Sequence, residues 1–285
     1  MTESPTIFDR RLLRVRLARA AALGLSTFMI DHVAQDLADR LAAVRRRFDR
    51  ALELDAPTDA VRRVLAESGK VGTVLRVAAD PETLPFRDRS LDLVVSVFGM
   101  QFVNDVPGTL IQIRRALRPD GLFLGALIGG DTLAELRQSF AVAESEVEQG
   151  ISPRVAPFAD LRDLGGLLQR AGFALPVADV DRLTVRYADP LALMHDLRRM
   201  GATNVLVERS RRPLRRSTLV RMMEVYSSRF ADPDGRIRAT FEIVWLSAWA
   251  PHESQQKPLR PGSARRRLAD ALGTKEISAG EKPRG

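Results

Sequence analysis

Two nearly unbroken apolar runs, Leu91 to Phe98 and Leu122 to Ile128, constrain the fold of this chain more than any other feature. A strand with one wet face alternates apolar and polar residues, whereas a parallel strand covered by helices on both faces reads as a continuous run. Helical periodicity over Asp105 to Leu117 separates the two runs, and upstream the segments Ala51 to Leu54 and Val71 to Val77 enclose Val61, Val64 and Leu65 at helical spacing. Strand, helix, strand therefore occurs twice. The alternation predicts an α/β fold, a Rossmann-like doubly wound sheet that binds ligands outside the carboxyl ends of its strands. Both runs fall well short of the roughly 20 residues that cross a bilayer, so no membrane span is expected.

Flanking patterns set the organisation. Leu13, Leu17 and Ala20, then Val33, Leu37, Leu41 and Val44, recur at helical steps and predict an N-terminal helical segment over residues 1–48, interrupted at Gly24. Residues 49–250 form the α/β domain. Within it Pro119-Asp120-Gly121 is expected to stop the Asp105 helix before the next strand, and Thr132 with Glu135 has capping-box spacing for a helix to about Val147. Leu161 to Ala171 predicts a helix stopped by Gly172, and Phe173 to Tyr187 and Ala239 to Trp249 read as strands. Helices near Leu191 to Met200 and Thr218 to Phe230 flank a basic loop and read as a cap inserted at about 188–235. Residues 251–285, with prolines, glycines and mixed charge, are expected to form a poorly ordered tail.

Composition narrows the chemistry. Among 285 residues, 44 Lys and Arg outweigh 36 Asp and Glu, and the excess lies in arginine clusters at Arg10 to Arg19, Arg209 to Arg216 and Arg260 to Arg267. Each is a candidate surface for acidic partners, with solvated helix faces as the alternative that explains most of the excess, and aromatics at 6% are too sparse to interleave with them, so nucleic acid is not the expected partner. The absence of cysteine excludes thiolate metal sites and thiol nucleophiles. His32, His195 and His252 are too dispersed to form a metal motif, and no metal is expected. Trp245 and Trp249 share one strand face and read as core. The polar start, with Glu3 and Asp9, is unlike a signal peptide or presequence, so a cytoplasmic protein is expected.

The segment Ala79-Asp80-Pro81-Glu82-Thr83-Leu84-Pro85-Phe86, followed by Leu91-Asp92-Leu93-Val94-Val95-Ser96, resembles class I S-adenosylmethionine-dependent methyltransferases of the type 11 group. More narrowly, Phe8-Asp9-Arg10-Arg11-Leu12-Leu13, Phe102-Val103-Asn104-Asp105, Leu117-Arg118-Pro119-Asp120-Gly121, Gly129-Gly130-Asp131-Thr132-Leu133, Ser152-Pro153 and His252-Glu253-Ser254-Gln255 resemble the mitochondrial complex I assembly factor 5 family and its bacterial relatives. The resemblance covers nearly the whole chain. It implies S-adenosylmethionine as cofactor and a protein or carrier-bound substrate. One branch of relatives methylates an acyl-carrier-protein thioester, and the other is credited with hydroxylating an arginine of a complex I subunit.

The resemblance also implies a cofactor site at Glu53, Asp55, Asp80, Pro81, Val97 and Gln101, and here the sequence departs from the family. The family's turn Asp-Leu-Gly-x-Gly-x-Gly is Glu53-Leu54-Asp55-Ala56-Pro57-Thr58-Asp59, so Asp55, Pro57 and Asp59 replace three glycines. Pro57 has no N–H to donate, and Asp55 brings negative charge to where a ligand carboxylate would lie. Glu53 keeps the acid that precedes the turn. From Leu54 to Asp80 there is room for one crossover, since a strand-helix-strand unit takes about 30 residues. One strand-helix element is therefore expected to be missing. Asp80 corresponds to the family's acceptor for the adenine amino group, with a ribose-binding role as the alternative. Gln101 stands where relatives often have His, or it caps the helix beginning near Asn104-Asp105. Two functions stand: an enzyme of this family, with methyl transfer working chiefly by positioning, or a catalytically inactive binding or assembly protein with a degenerate cofactor turn.

Overall fold

The computed structural model describes residues 6–77, 80–256 and 273–274. The chain divides after Pro251 into two units. The first carries six strands and eight helices among the described residues. The second begins with a local turn in which the His252 backbone N–H donates to Gln255 Oε1. Most of the tail expected to lack order lies outside the described residues.

The N-terminal periodicity forms two helices, α1 (Arg10–Ala22) and α2 (Phe28–Ala43), broken at Gly24, which has φ of +80°. Strand β1 (Phe48–Leu54) starts three residues before the expected Ala51, because Phe48 pairs with Val71 at the start of β2 (Val71–Val77). Between them α3 (Ala60–Glu67) buries Val61 and Leu65. Strand β3 (Leu91–Val97) is buried at every residue, as its apolar run requires. Next come α4 (Val106–Ala116) and β4 (Leu117–Ile128). Pro119-Asp120-Gly121 does not separate helix from strand as expected. It lies inside β4, where Asp120 takes a φ of +63° and the register with β3 slips between Leu91 and Leu93, so the punctuation makes a bulge.

The remaining elements are α5 (Ala134–Glu148), α6 (Leu161–Arg170), β5 (Ala174–Tyr187), α7 (Pro190–Arg199), α8 (Arg216–Phe230) and β6 (Ile237–Trp249). The sheet order is β2-β1-β3-β4-β6-β5, with β1 to β4 parallel and β6 antiparallel to both neighbours. One core lies between the sheet and α2, α3, α5, α7 and α8, with Leu93, Val95 and Val97 pointing into it. The other lies under α4 and α6 and receives Leu52, Leu54 and Val94. This is the doubly wound arrangement with a single crossover between β1 and β2, as the short spacing from Leu54 to Asp80 requires.

The Thr132–Glu135 capping box does not form. Leu133 precedes α5 in a left-handed conformation, while Thr132 Oγ1 accepts from the Glu242 N–H and Glu135 accepts from Thr240, so both side chains are drawn to β6. Trp245 is buried as expected, with the Arg40 guanidinium 4.4 Å from its ring centroid. Helices α7 and α8, expected as a cap, join two strands that are antiparallel neighbours, which a simple parallel crossover could not do, and they bury Leu193 and Met222 in the core against the sheet.

Candidate functional site

The carboxyl ends of β1, β2 and β3 meet at one edge of the sheet. Glu53, next to last in β1, is fully buried, and neither of its carboxylate oxygens has a hydrogen-bond partner. Its register partner on β2 is Arg76, whose Nε lies 3.9 Å from Glu53 Oε1. Arg76 donates to Asp59 Oδ1 at 2.8 Å and to the Ala56 carbonyl at 3.2 Å, so one guanidinium spans the turn in which the family has glycines. Burial pushes the Glu53 carboxyl above its ordinary value, with Arg76 and Arg62 pulling the other way.

Asp55 opens the turn with φ of +52°, the left-handed conformation that glycine provides freely and that Asp tolerates better than most residues. Its carboxyl is also raised, chiefly by the surrounding protein, against the pull of Arg10 and Arg76 and with a further push from Asp80. Asp80 Oδ1 accepts from Arg10 at 3.1 Å and from the Glu82 N–H at 3.0 Å. The same Arg10 donates to the Phe102 carbonyl, joining α1 to the loop after β3. That loop comes so close to the β1 turn that any Cβ on Gly99 would collide with the carbonyl oxygen of Leu54.

Of the six expected residues, Glu53, Asp55 and Asp80 surround this edge. The other three do not offer free side chains to it. Val97 is buried in the core below. Pro81 is buried and its carbonyl accepts from Thr109 Oγ1. Gln101 neither faces the edge freely nor caps α4, because its Oε1 accepts from the Ile128 N–H at 2.6 Å and so binds the loop to the end of β4. The α4 N-cap is Asp105, accepting from the Gly108 N–H. The sequence reading missed Arg10 and Arg76. Arg76 sits beside Glu53 only through the parallel register of β1 and β2, and Arg10, though it stands in the motif over residues 8–13, has a partner that nothing local marks.

A buried carboxylate with no hydrogen-bond donor, in a rim of acids, fits the cationic amino-acid end of an adenosyl sulfonium. The backbone half of such a cradle is changed, since Pro57 gives no N–H.

Known proteins resemble this chain in sequence and in fold. A methyltransferase-domain family model matches residues 37–125. The chain is 36% identical over 286 residues to "Arginine-hydroxylase NDUFAF5, mitochondrial" of Danio rerio, covering 93% of this chain and 89% of the relative. The human protein of that name is 38% identical, with 90% and 81% covered. A malonyl-[acyl-carrier protein] O-methyltransferase of Gallionella capsiferriformans is 37% identical over 62% of this chain and 58% of its own length. Among solved structures, a Bacillus halodurans protein provisionally described as a methyltransferase superposes with a TM-score of 0.51 at 15% identity, covering 76% of this chain and 98% of that one, a likeness of fold.

Proposed function

Since this chain belongs to the NDUFAF5 arginine-hydroxylase family within the class I S-adenosylmethionine-dependent methyltransferases, we propose that it binds an adenosyl sulfonium at the carboxyl edge of its sheet. Its substrate there is a protein arginine, and its setting is the assembly of respiratory complex I. The observation that carries this reading is Glu53, a fully buried carboxylate with two unused acceptor oxygens near the end of β1, an interior strand of the sheet. Such a group is costly unless a donor arrives, and cationic ligands bring one. The rim already holds guanidinium groups of the chain's own, Arg10 on Asp80 and Arg76 on Asp59, which speaks for arginine as the cation it takes from a partner.

In this reading Glu53 accepts from the ligand's ammonium, the half-exposed Arg76 turns to its carboxylate, and Asp80 accepts from the adenine amino group. When bound, the cofactor supplies an electrophilic sulfonium methyl. The chain's residues position and desolvate.

Calorimetric titration with S-adenosylmethionine and S-adenosylhomocysteine tests the binding. Micromolar affinity that is lost in Glu53→Gln and in Asp80→Ala is the expected result. Incubation of arginine-bearing peptides with S-adenosylmethionine, dioxygen and an external two-electron reductant, read by mass spectrometry, assigns the reaction: one added oxygen for hydroxylation, with the second oxygen atom leaving as water, or one added methylene for methylation, with S-adenosylhomocysteine released. The second reading, a non-catalytic assembly protein, is favoured by Pro57 and by the arginine that spans the turn. No heat at millimolar ligand and no mass change would establish it. The compartment proposed is cytoplasmic, whereas the animal relatives are named mitochondrial. No helix among the described residues is long and apolar enough to cross a membrane.

A further inference from the structure

A separate cluster of titratable groups lies where α2 packs against the edge strand β5. His32 and Asp36 are one helical turn apart on α2 and share a face. Asp181 reaches them from β5, with its Oδ2 3.2 Å from His32 Nε2, while Asp36 Oδ2 is 3.9 Å from the same nitrogen. One donor atom from each of the three residues lies within 4.8 Å of the others. Bonds of about 2.0–2.2 Å to a divalent ion put neighbouring ligand atoms about 3 to 3.5 Å apart. One pair already meets that spacing. The others need small side-chain rotations, which half-exposed aspartates can make.

The charge balance argues the same way. This chain has more arginine than acid, and most of its ion-paired carboxylates face a guanidinium. Among the described residues, however, no arginine or lysine comes within ion-pair distance of Asp36 or Asp181. The nearest cation along α2, Arg40, is committed to Asp179 on β5 and lies over the Trp245 ring. Two carboxylates are thus left to a single imidazole.

We propose that His32, Asp36 and Asp181 form a binding site for a divalent first-row transition ion. One imidazole nitrogen with two carboxylate oxygens suits zinc, iron(II), cobalt or manganese better than calcium or magnesium, which take all-oxygen shells. Three protein ligands leave positions open for water or another ligand, unlike the closed shell of a structural site. Asp181 pairs with Ile243 and Ile243 with Ile128, the last residue of β4, so the site stands level with the carboxyl edge of the sheet. The inference does not depend on the proposed cofactor or substrate.

The test is titration of the chelator-treated full chain with zinc chloride, and separately with cobalt(II) chloride, by calorimetry and visible absorption. One equivalent of each ion is expected, with a cobalt spectrum carrying a nitrogen ligand. His32→Ala and Asp181→Asn should each weaken binding about tenfold or more, and their melting curves should show that the fold persists. Absence of heat and of a cobalt band at millimolar ion overturns the site. Unchanged affinity in His32→Ala overturns it equally, by placing the ion elsewhere on the chain.

Discussion

Glu53 has no solvent and no hydrogen-bond donor, and a guanidinium 3.9 Å away only partly offsets the cost. Its match to the acid that precedes the family's turn made it legible in the sequence. Its lack of partners was not, because burial is a property of the packed sheet. The raised carboxyl has a consequence for stability. Across the interval just above the ordinary value of 4.5, the folded chain holds more protons than the unfolded one, so this group's contribution falls as pH rises through that interval. Glu53→Gln removes the titration. Its urea midpoint at neutral pH should equal or exceed that of the wild type, with a flatter decline above pH 4.5, while ligand heat disappears. An identical decline in both proteins would assign the titration to another group. Arg76 was hidden for a related reason: its partner is set by the parallel register of β1 and β2, across 23 positions of sequence, from 53 to 76.

At the scale of elements, periodicity gave helices and strands well and punctuation poorly. Pro119-Asp120-Gly121 and Thr132-x-x-Glu135 both carry strong local signals, and in both the neighbouring strands prevailed. An N–H or carbonyl that completes a buried ladder is worth more than one that completes an exposed turn, since leaving it unpaired costs about 1–3 kcal/mol. The cap of α4 is a place where local chemistry did decide. Asp105 accepts from the Gly108 N–H, and a Cβ on Gly108 would collide with the Asp105 carboxylate. Asp105→Ala should cost about 1 kcal/mol in chemical denaturation. Gly108→Ala would ordinarily gain up to about 1 kcal/mol in a helix; here it should gain nothing or destabilise, because it displaces the cap. In the Asp105→Ala background the same substitution should become stabilising. Additive effects in this double-mutant cycle would mean that the cap moves aside without loss.

Over the whole molecule, three segments distant in sequence are tied together at the carboxyl edge. Asn104 Oδ1 accepts from the N–H groups of Ile7 and Phe8, the Asp9 N–H donates to the Val205 carbonyl, and Phe8 packs edge to face on Phe102 at 5.5 Å. Arg10 extends the same tie to Asp80. Asn104→Ala removes an acceptor shared by two backbone donors. Hydrogen exchange should quicken at Ile7, Phe8, Asp9 and Val207 while β3 and β4 keep their protection; acceleration through the sheet would show that the tie supports the entire fold. By itself the sequence determined the parallel strands, the two-sided burial and the single crossover between β1 and β2, because apolar period and chain length act locally and survive any packing; the acids at the sheet's edge were legible through the family resemblance. Only the tertiary structure decided which cation meets which carboxylate across elements: Arg10 and Arg76 at the edge, His32 against Asp181. Such pairings depend on register and helix docking, which no stretch of neighbouring residues encodes.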